Sequence, residues 1–102
     1  MLTVKRSTRF PEGSGLVGMI RADYKTLCEV FGKEHSDGDG YKIDAHWDLE
    51  FSDGTVATIY NYKDGKNYLG AEGKAKQNIT EWHVGGYGDE AYTLVTRFLS
   101  GY

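Results

Sequence analysis

The chain has one cysteine, Cys28, and one proline, Pro11, among its 102 residues. A single cysteine excludes an internal disulfide and is typical of proteins that work in a reducing cytoplasm. Without such crosslinks the fold must be held by an apolar core, and a chain of 102 residues is long enough to bury one modest core. We therefore expect a single domain.

Long apolar runs are also missing. No run approaches the roughly 18 residues of a transmembrane helix, and the first residues, LTVKR at 2–6, hold no apolar signal core. We therefore expect no membrane partner and no secretion signal. The resulting prediction is a cytoplasmic protein.

Neither sign of charge dominates. The formal net charge is −3 and the pI is about 5.5, so the chain lacks the basic footprint of a nucleic-acid binder, and we do not expect nucleic acid as its partner. The basic side chains are nevertheless unevenly placed. The first 21 residues carry one acid, Glu12, against four bases, which are Lys5, Arg6, Arg9 and Arg21. Residues 1–14 therefore form either a basic arm that docks on an anionic partner or an edge strand.

Residues 43–62 carry the clearest secondary-structure pattern. Apolar and polar residues alternate with a period of two over residues 43–51, which indicates a strand with one buried face and one polar face. The turn formers Ser52-Asp-Gly54 follow, and a β-rich run over residues 55–62 completes a hairpin. The apolar half of the alternation consists of Ile43, Ala45, Trp47, Leu49 and Phe51.

The hairpin turn allows two registers. A two-residue loop pairs Phe51 with Val56, whereas a three-residue loop with Gly54 in the left-handed region pairs Phe51 with Thr55. We favour the second, because it buries Ala57 and Ile59 and leaves the tyrosines on the wetter face. A slip of one residue would exchange the two faces.

The rest of the chain predicts an α+β domain over residues 15–102. A strand at 16–20 precedes a helix that begins after Asp23 and ends at Gly32. Residues 68–77 are expected to be loop, residues 79–84 a strand ended by the glycines at 85–88, and residues 89–100 a helix. The order β-α-β-β-β-α favours an antiparallel meander with both helices packed on one sheet face.

Two kinds of site chemistry, metal binding and nucleophilic catalysis by a thiol, can be considered for these residues. A metal site could use His35, Asp37 and Asp39, or Asp44, His46 and Asp48, but neither set has the residue types or the spacing of zinc or calcium sites. Cys28 falls on the apolar face of a helix, which is typical of an inert thiol. We therefore expect no metal, no cofactor and no enzymatic activity.

A binding surface is the remaining candidate. In the favoured register the polar strand face carries His46, Asp48, Glu50, Tyr60 and Tyr62. Tyrosine gives a large contact area at small entropic cost and is enriched at interfaces. The alternative is cross-strand packing of tyrosines that only stabilises the sheet. Further tyrosines that could join the surface are Tyr68, Tyr87 and Tyr92.

Five segments of the chain resemble a family of small proteins encoded by tailed bacteriophages and related mobile elements. The segments are LVGMI at 16–20, YKTLCEVFG at 24–32, DAHWDLEF at 44–51, DGTVATIYNY at 53–62 and ITEWHVGG at 79–86. The resemblance covers about residues 15–100 and brings no catalytic residue with it. It implies a protein made in the cytoplasm of an infected bacterium, where small phage proteins are often inhibitors of host defence, including anti-CRISPR proteins.

The leading hypothesis is therefore a non-enzymatic phage protein that binds and inhibits a bacterial defence component, with a CRISPR effector first among the candidates. The alternative is a sponge that holds a cyclic nucleotide or a related anion with stacking tyrosines and with Lys5, Arg6, Arg9 and Arg21. A structural or virion-associated module is a third possibility. A homodimer formed through an edge strand or through the arm is compatible with each.

Overall fold

The computed structural model describes residues 2–7, 13–35 and 43–101. In this part of the chain five strands form one antiparallel sheet, and three helices accompany it. The strands are β1 (Val4–Arg6), β2 (Gly15–Arg21), β3 (His46–Phe51), β4 (Val56–Tyr60) and β5 (Glu81–Gly86), and the helices are α1 (Tyr24–Phe31), α2 (Lys66–Leu69) and α3 (Asp89–Ser100).

The strands are arranged in the order β1-β3-β4-β5-β2, and every neighbouring pair is antiparallel. The β3–β4 hairpin occupies the centre, and β1 and β2 form the two edges. Helix α1 connects β2 to β3 across the sheet. This confirms the predicted α+β class and the predicted order of elements, with β1 and the short α2 added.

The core lies between one face of the sheet and the helices α1 and α3. Trp47 and Trp82 are fully buried there and meet edge to face, with ring centroids 5.4 Å apart. Phe98 of α3 packs on Phe51 and on Phe31, which joins both helices to the sheet. The apolar half of the alternation in β3 supplies Trp47, Leu49 and Phe51, each at most 1% exposed, so the buried face is the one that the sequence predicted.

The hairpin has the favoured register. Trp47 pairs with Ile59 and Leu49 pairs with Ala57, and the Phe51 N–H donates to the Thr55 carbonyl at 2.8 Å. Gly54 has φ 93°, a backbone conformation that costs little for glycine. The turn thus fixes which side chains reach the polar face.

The end of β5 differs from the prediction. The glycines at 85 and 86 do not break the strand, which continues through Gly86. A Cβ at Gly85 would lie 2.5 Å from Thr58 Oγ1, and one at Gly86 would collide with the Cβ of Ala91 in α3. These glycines therefore allow close approach of neighbours inside a strand.

Two helix ends also refine the sequence-based reading. Asp23 is the residue before α1, but its side chain makes no capping hydrogen bond. Gly32 ends α1 with φ 87°, as the glycine signal predicted. The region expected to be loop, residues 68–77, overlaps the end of α2 and two short 3₁₀ turns, Gly70–Glu72 and Lys76–Asn78.

A buried amide holds the end of β4 in place. Asn61 Oδ1 accepts hydrogen bonds from the backbone N–H groups of Asp44 and Ala45, at 2.6 and 3.0 Å. Its Nδ2 donates to Asp44 Oδ1 and to Asp64 Oδ1, both at 3.0 Å. The side chain is 0% exposed, so this cluster binds the start of β3, the end of β4 and the following turn to one another.

A second buried polar group joins α1 to the segment before β5. The side chain of Glu34 is 1% exposed and lies 2.6 Å from Lys76 Nζ, and it accepts a hydrogen bond of 2.5 Å from the Tyr24 hydroxyl. Burial raises the pKa of Glu34, but the hydrogen bonds from Lys76 and Tyr24 outweigh this and leave the pKa below its ordinary value. The folded protein therefore favours the charged carboxylate.

No helix in the described part of the chain is long and apolar enough to span a bilayer.

Candidate binding face

The sheet face that lies opposite α1 and α3 carries the polar half of the strand alternation; we call it the polar face. One row of side chains crosses four neighbouring strands of this face, in the order β2, β5, β4 and β3. In this row Met19 pairs with His83, His83 with Tyr60, and Tyr60 with His46. Alternation places Asp48 and Glu50 on the same face of β3. The hairpin register therefore brings His46, Asp48, Glu50 and Tyr60 together, as the sequence predicted.

Aromatic rings cluster at one end of this face. The ring of His83 stacks on Tyr60, with centroids 5.4 Å apart and planes at 22°. Tyr62 meets the same imidazole edge to face at 5.7 Å. Lys63 Nζ then lies over the Tyr62 ring at 5.3 Å and over the Tyr68 ring at 5.6 Å. We call these five residues the aromatic patch.

The outer members of the patch are accessible. Tyr62 is 40% exposed and Tyr68 is 37% exposed, whereas Tyr60 and His83 are half-buried beneath them. Burial, and to a smaller extent the neighbouring Tyr62, raise the pKa of Tyr60 above its ordinary value, so its phenol is neutral at pH 7. The patch thus presents aromatic rings and the side chain of one lysine.

Lys63 has an uncommon backbone conformation. Its φ is 62°, and it is the one non-glycine residue with positive φ among the described residues. A side chain in this left-handed region costs roughly 1 kcal/mol or more, which glycine avoids. The fold nevertheless places a lysine there, and the conformation carries its ammonium group between two tyrosine rings.

Inside the patch, His83 has an unsatisfied atom. Its Nδ1 is buried and has no hydrogen-bond partner among the described residues. Buried polar atoms without partners are uncommon in folded proteins. His83 is not among the site residues predicted from the sequence, although alternation with the buried Trp82 and Val84 places it on the polar face.

The acidic part of the polar face is engaged within the fold. His46 Nε2 lies 2.9 Å from Asp48 Oδ1, and the two side chains are only 16% and 20% exposed. The backbone N–H of Asp48 donates to His35 Nδ1 at 2.8 Å. Glu50 is half-buried and lies opposite Lys5 of β1. These residues therefore border the patch and contribute less accessible surface than the tyrosines.

His35 must be neutral at its Nδ1 to accept that hydrogen bond. Burial lowers the pKa of His35, and the positive charge of Arg6 lowers it further; the Asp48 carboxylate opposes both effects but does not cancel them. The neutral imidazole therefore belongs to the folded state, in which it pairs with the edge of β3.

The three arginines named as site residues do not form one site in the described structure. Arg6 lies on β1, paired with Leu49, and its guanidinium donates to the His35 carbonyl at 3.4 Å. Arg21 lies on β2 at the opposite edge, 2.9 Å from Glu81. Arg9 lies outside the described residues.

The candidate metal ligands come together only in part: His46 and Asp48 are adjacent, and His35 is bonded to the Asp48 backbone. The Asp44 carboxylate accepts from Asn61 and from the Asn67 N–H, away from His46 and Asp48, and Asp37 and Asp39 lie outside the described residues. No group of three or more possible metal ligands occurs in the described part of the chain. Cys28 is half-buried on α1, on the other side of the sheet from His46.

The other candidate tyrosines have different places. Tyr68 joins the patch through Lys63. Tyr87 is 64% exposed and lies before α3, beside a cavity of about 390 Å³ that Gly54 and Glu90 also line. Tyr92 lies on α3 against Gly18 of β2. The positive φ of Lys63 has no glycine or asparagine signal in the sequence, which did not predict the contacts of Lys63 with Tyr62 and Tyr68.

No family model matches the chain, and no curated protein matches it.

Proposed function

We propose that this chain is a non-enzymatic binding protein that docks on a protein partner through the aromatic patch. The observation that carries the proposal is at Lys63, which has an unfavourable backbone conformation and whose ammonium group lies 5.3 and 5.6 Å from the centroids of two exposed tyrosine rings. Strained positions persist where the surrounding structure maintains them, and they cluster at functional sites.

The chemistry of the patch suits a protein interface. Tyrosine is enriched among the residues that dominate binding energy, because it buries a large area and has few rotatable bonds. The stacked His83 and Tyr60 lie beneath the exposed rings, so part of the ordering cost is met in the free protein. An acidic or aromatic patch on a partner would complement the lysine and the rings.

The class of partner follows from the resemblance to phage-encoded proteins. We propose a component of bacterial defence, with a CRISPR effector first among the candidates, in the cytoplasm of the host cell. Inhibition would follow from occupying a surface that the effector needs, since the patch offers contact area and no catalytic group.

The geometry favours this proposal over the anion sponge. Arg6 and Arg21 lie on opposite edges of a five-stranded sheet, which separates them by roughly 19 Å at the usual spacing of strands. The described residues of one copy therefore do not bring both guanidinium groups to one anion. Replacing Arg6 and Arg9 by Ala should abolish a sponge and only slow the association of a protein-blocking inhibitor.

The test is phage infection of bacterial strains that each carry one defence system. The chain should restore plaque formation in a strain whose system it blocks. Lys63→Gly should remove that protection while leaving the free energy of unfolding unchanged or raised by up to about 1 kcal/mol, because glycine relieves the backbone strain. Tyr87→Ala, which alters an exposed tyrosine outside the patch, should retain full activity.

Two results would contradict the proposal. One is a failure of the chain to restore plaques in every strain, including those with CRISPR effectors. The other is a Lys63→Gly variant as protective as the unmodified chain, since the lysine would then have no part in binding.

A further inference from the structure

The two edges of the sheet differ in how they are protected. β1 has three residues, two of which are Lys5 and Arg6, and short charged edge strands resist pairing with other chains. β2 has seven residues, GLVGMIR, with no proline and a single charge at its last position, Arg21. Its one protective device is an irregularity between Leu16 and Gly18, after which the register is regular.

The outer edge of β2 is available for hydrogen bonding. On its inner side β2 pairs with β5, and within the described residues no other segment pairs with it. The outward N–H and C=O groups of an edge strand are satisfied either by water or by another strand. A strand therefore matches the hydrogen-bonding pattern of this edge better than a helix or a small ligand does.

Apolar surface accompanies this free edge. Leu16 is 58% exposed and Met19 is 47% exposed, the former among the largest exposures of any apolar residue described. Both pair with residues of the polar face. On the other face, β2 and α3 enclose a groove of about 370 Å³, whose α3 side is uncharged and consists of Tyr92, Thr96, Leu99 and Ser100.

We propose that β2 is the interface of a two-fold homodimer, in which the β2 strands of two copies pair antiparallel and join two five-stranded sheets into one of ten strands. Antiparallel pairing of seven-residue strands puts the two Arg21 side chains at opposite ends, roughly 20 Å apart, and thus avoids repulsion between them. Pairing of β2 with β1 of another copy would instead extend over the three residues of β1 and form an open chain of subunits.

The helices fit the same arrangement. When the second copy pairs through β2, its helix α3 lies next to α3 of the first copy. The uncharged side of each α3 then covers the groove between β2 and α3 of the partner copy. Leu16 and Met19 of both copies meet on the polar face along the seam. Because Met19 is the cross-strand neighbour of His83, the two aromatic patches would flank this seam on one continuous face.

The test is the molar mass of the full chain by sedimentation equilibrium, in reducing buffer, from about 1 to about 300 μM, a range that covers weak dimers. We expect a reversible monomer–dimer equilibrium. Met19→Glu should raise the dissociation constant at least about tenfold, because like charges would meet at the seam. Leu69→Glu is the matched control, since Leu69 is 46% exposed and lies outside β2; it should leave the equilibrium unchanged.

Hydrogen exchange of the unmodified chain gives a second measurement that no folding defect can affect. Amides of β2 should gain protection as the concentration rises, while those of β1 should not. A monomer throughout the concentration range would overturn the proposal. So would a dimer that Met19→Glu and Leu69→Glu affect equally, or one whose formation leaves β2 exchange unchanged.

Discussion

Replacing Asn61 with Ala should destabilise the domain by several kcal/mol. The Asn61 side chain is 0% exposed and takes part in four hydrogen bonds. Its loss leaves the N–H groups of Asp44 and Ala45 without acceptors, at about 1–3 kcal/mol each, so the sum is about 2–6 kcal/mol. The free energy of unfolding of a small domain is typically about 5–15 kcal/mol, so this loss would be a large part of it.

The assay is urea unfolding followed by the fluorescence of the two buried tryptophans, Trp47 and Trp82. Asn78→Ala is the control, because Asn78 is exposed, and it should change the free energy of unfolding by less than about 0.5 kcal/mol. If Asn61→Ala is within about 1 kcal/mol of the unmodified chain, the buried amide does not hold the end of β4 as described.

Asn61→Asp separates the role of the donated hydrogen bonds from that of the accepted ones. The new carboxyl keeps both accepting positions but replaces the Nδ2 donor, which lies 3.0 Å from Asp44 Oδ1 and from Asp64 Oδ1. Neighbouring carboxylates raise the pKa of the introduced carboxyl in the folded state. The variant therefore retains this group's stabilising effect below the unfolded pKa of the carboxyl and loses it as pH rises through the folded pKa. The deficit at pH 7 should therefore shrink on acidification, whereas that of Asn61→Ala should not.

Three further predictions concern packing and acid stability. Gly86→Ala should cost about 1–3 kcal/mol, because its Cβ would meet α3, while Gly15→Ala, with open space at its Cβ, should cost less than Gly86→Ala in the same unfolding assay. The pKa of Glu34 is lowered in the folded protein, so the carboxylate stabilises the fold above its unfolded pKa, and this stabilisation is lost as pH falls through its folded pKa. Glu34→Gln should cost about 2 kcal/mol at pH 7, and it should weaken the dependence of stability on pH under acidic conditions. The pKa of His35 is lowered as well, so stability should fall as pH drops below about 6.5, and His35→Asn, which keeps an acceptor, should remove that loss; an unchanged pH profile would contradict this role.

The strands of the hairpin were predictable because their information is local. Alternation over residues 43–51 defines the buried face, and Gly54 defines the register through a turn that needs positive φ. The polar face and its tyrosines follow directly from these two observations. His83 was accessible to the same reasoning through its buried neighbours in β5.

The parts that the sequence did not predict depend on contacts between distant segments. The glycines at 85 and 86 look like a strand end until Thr58 and Ala91 are placed against them. The Asn61 cluster joins residues 16 and 17 positions apart, and no local sequence pattern predicts it. The scattered arginines were grouped by their nearness in sequence, whereas β1 and β2 carry two of them to opposite edges.

The most direct measurement of the proposed function is native mass spectrometry of the tagged chain recovered from phage-infected, defence-positive bacteria. The unmodified chain and Tyr87→Ala should each carry a subunit of a defence complex, and a Tyr62→Ala, Lys63→Gly double variant should be recovered without it. Recovery of the same subunit with the double variant, or of a small anion in place of any protein, would contradict binding through the aromatic patch.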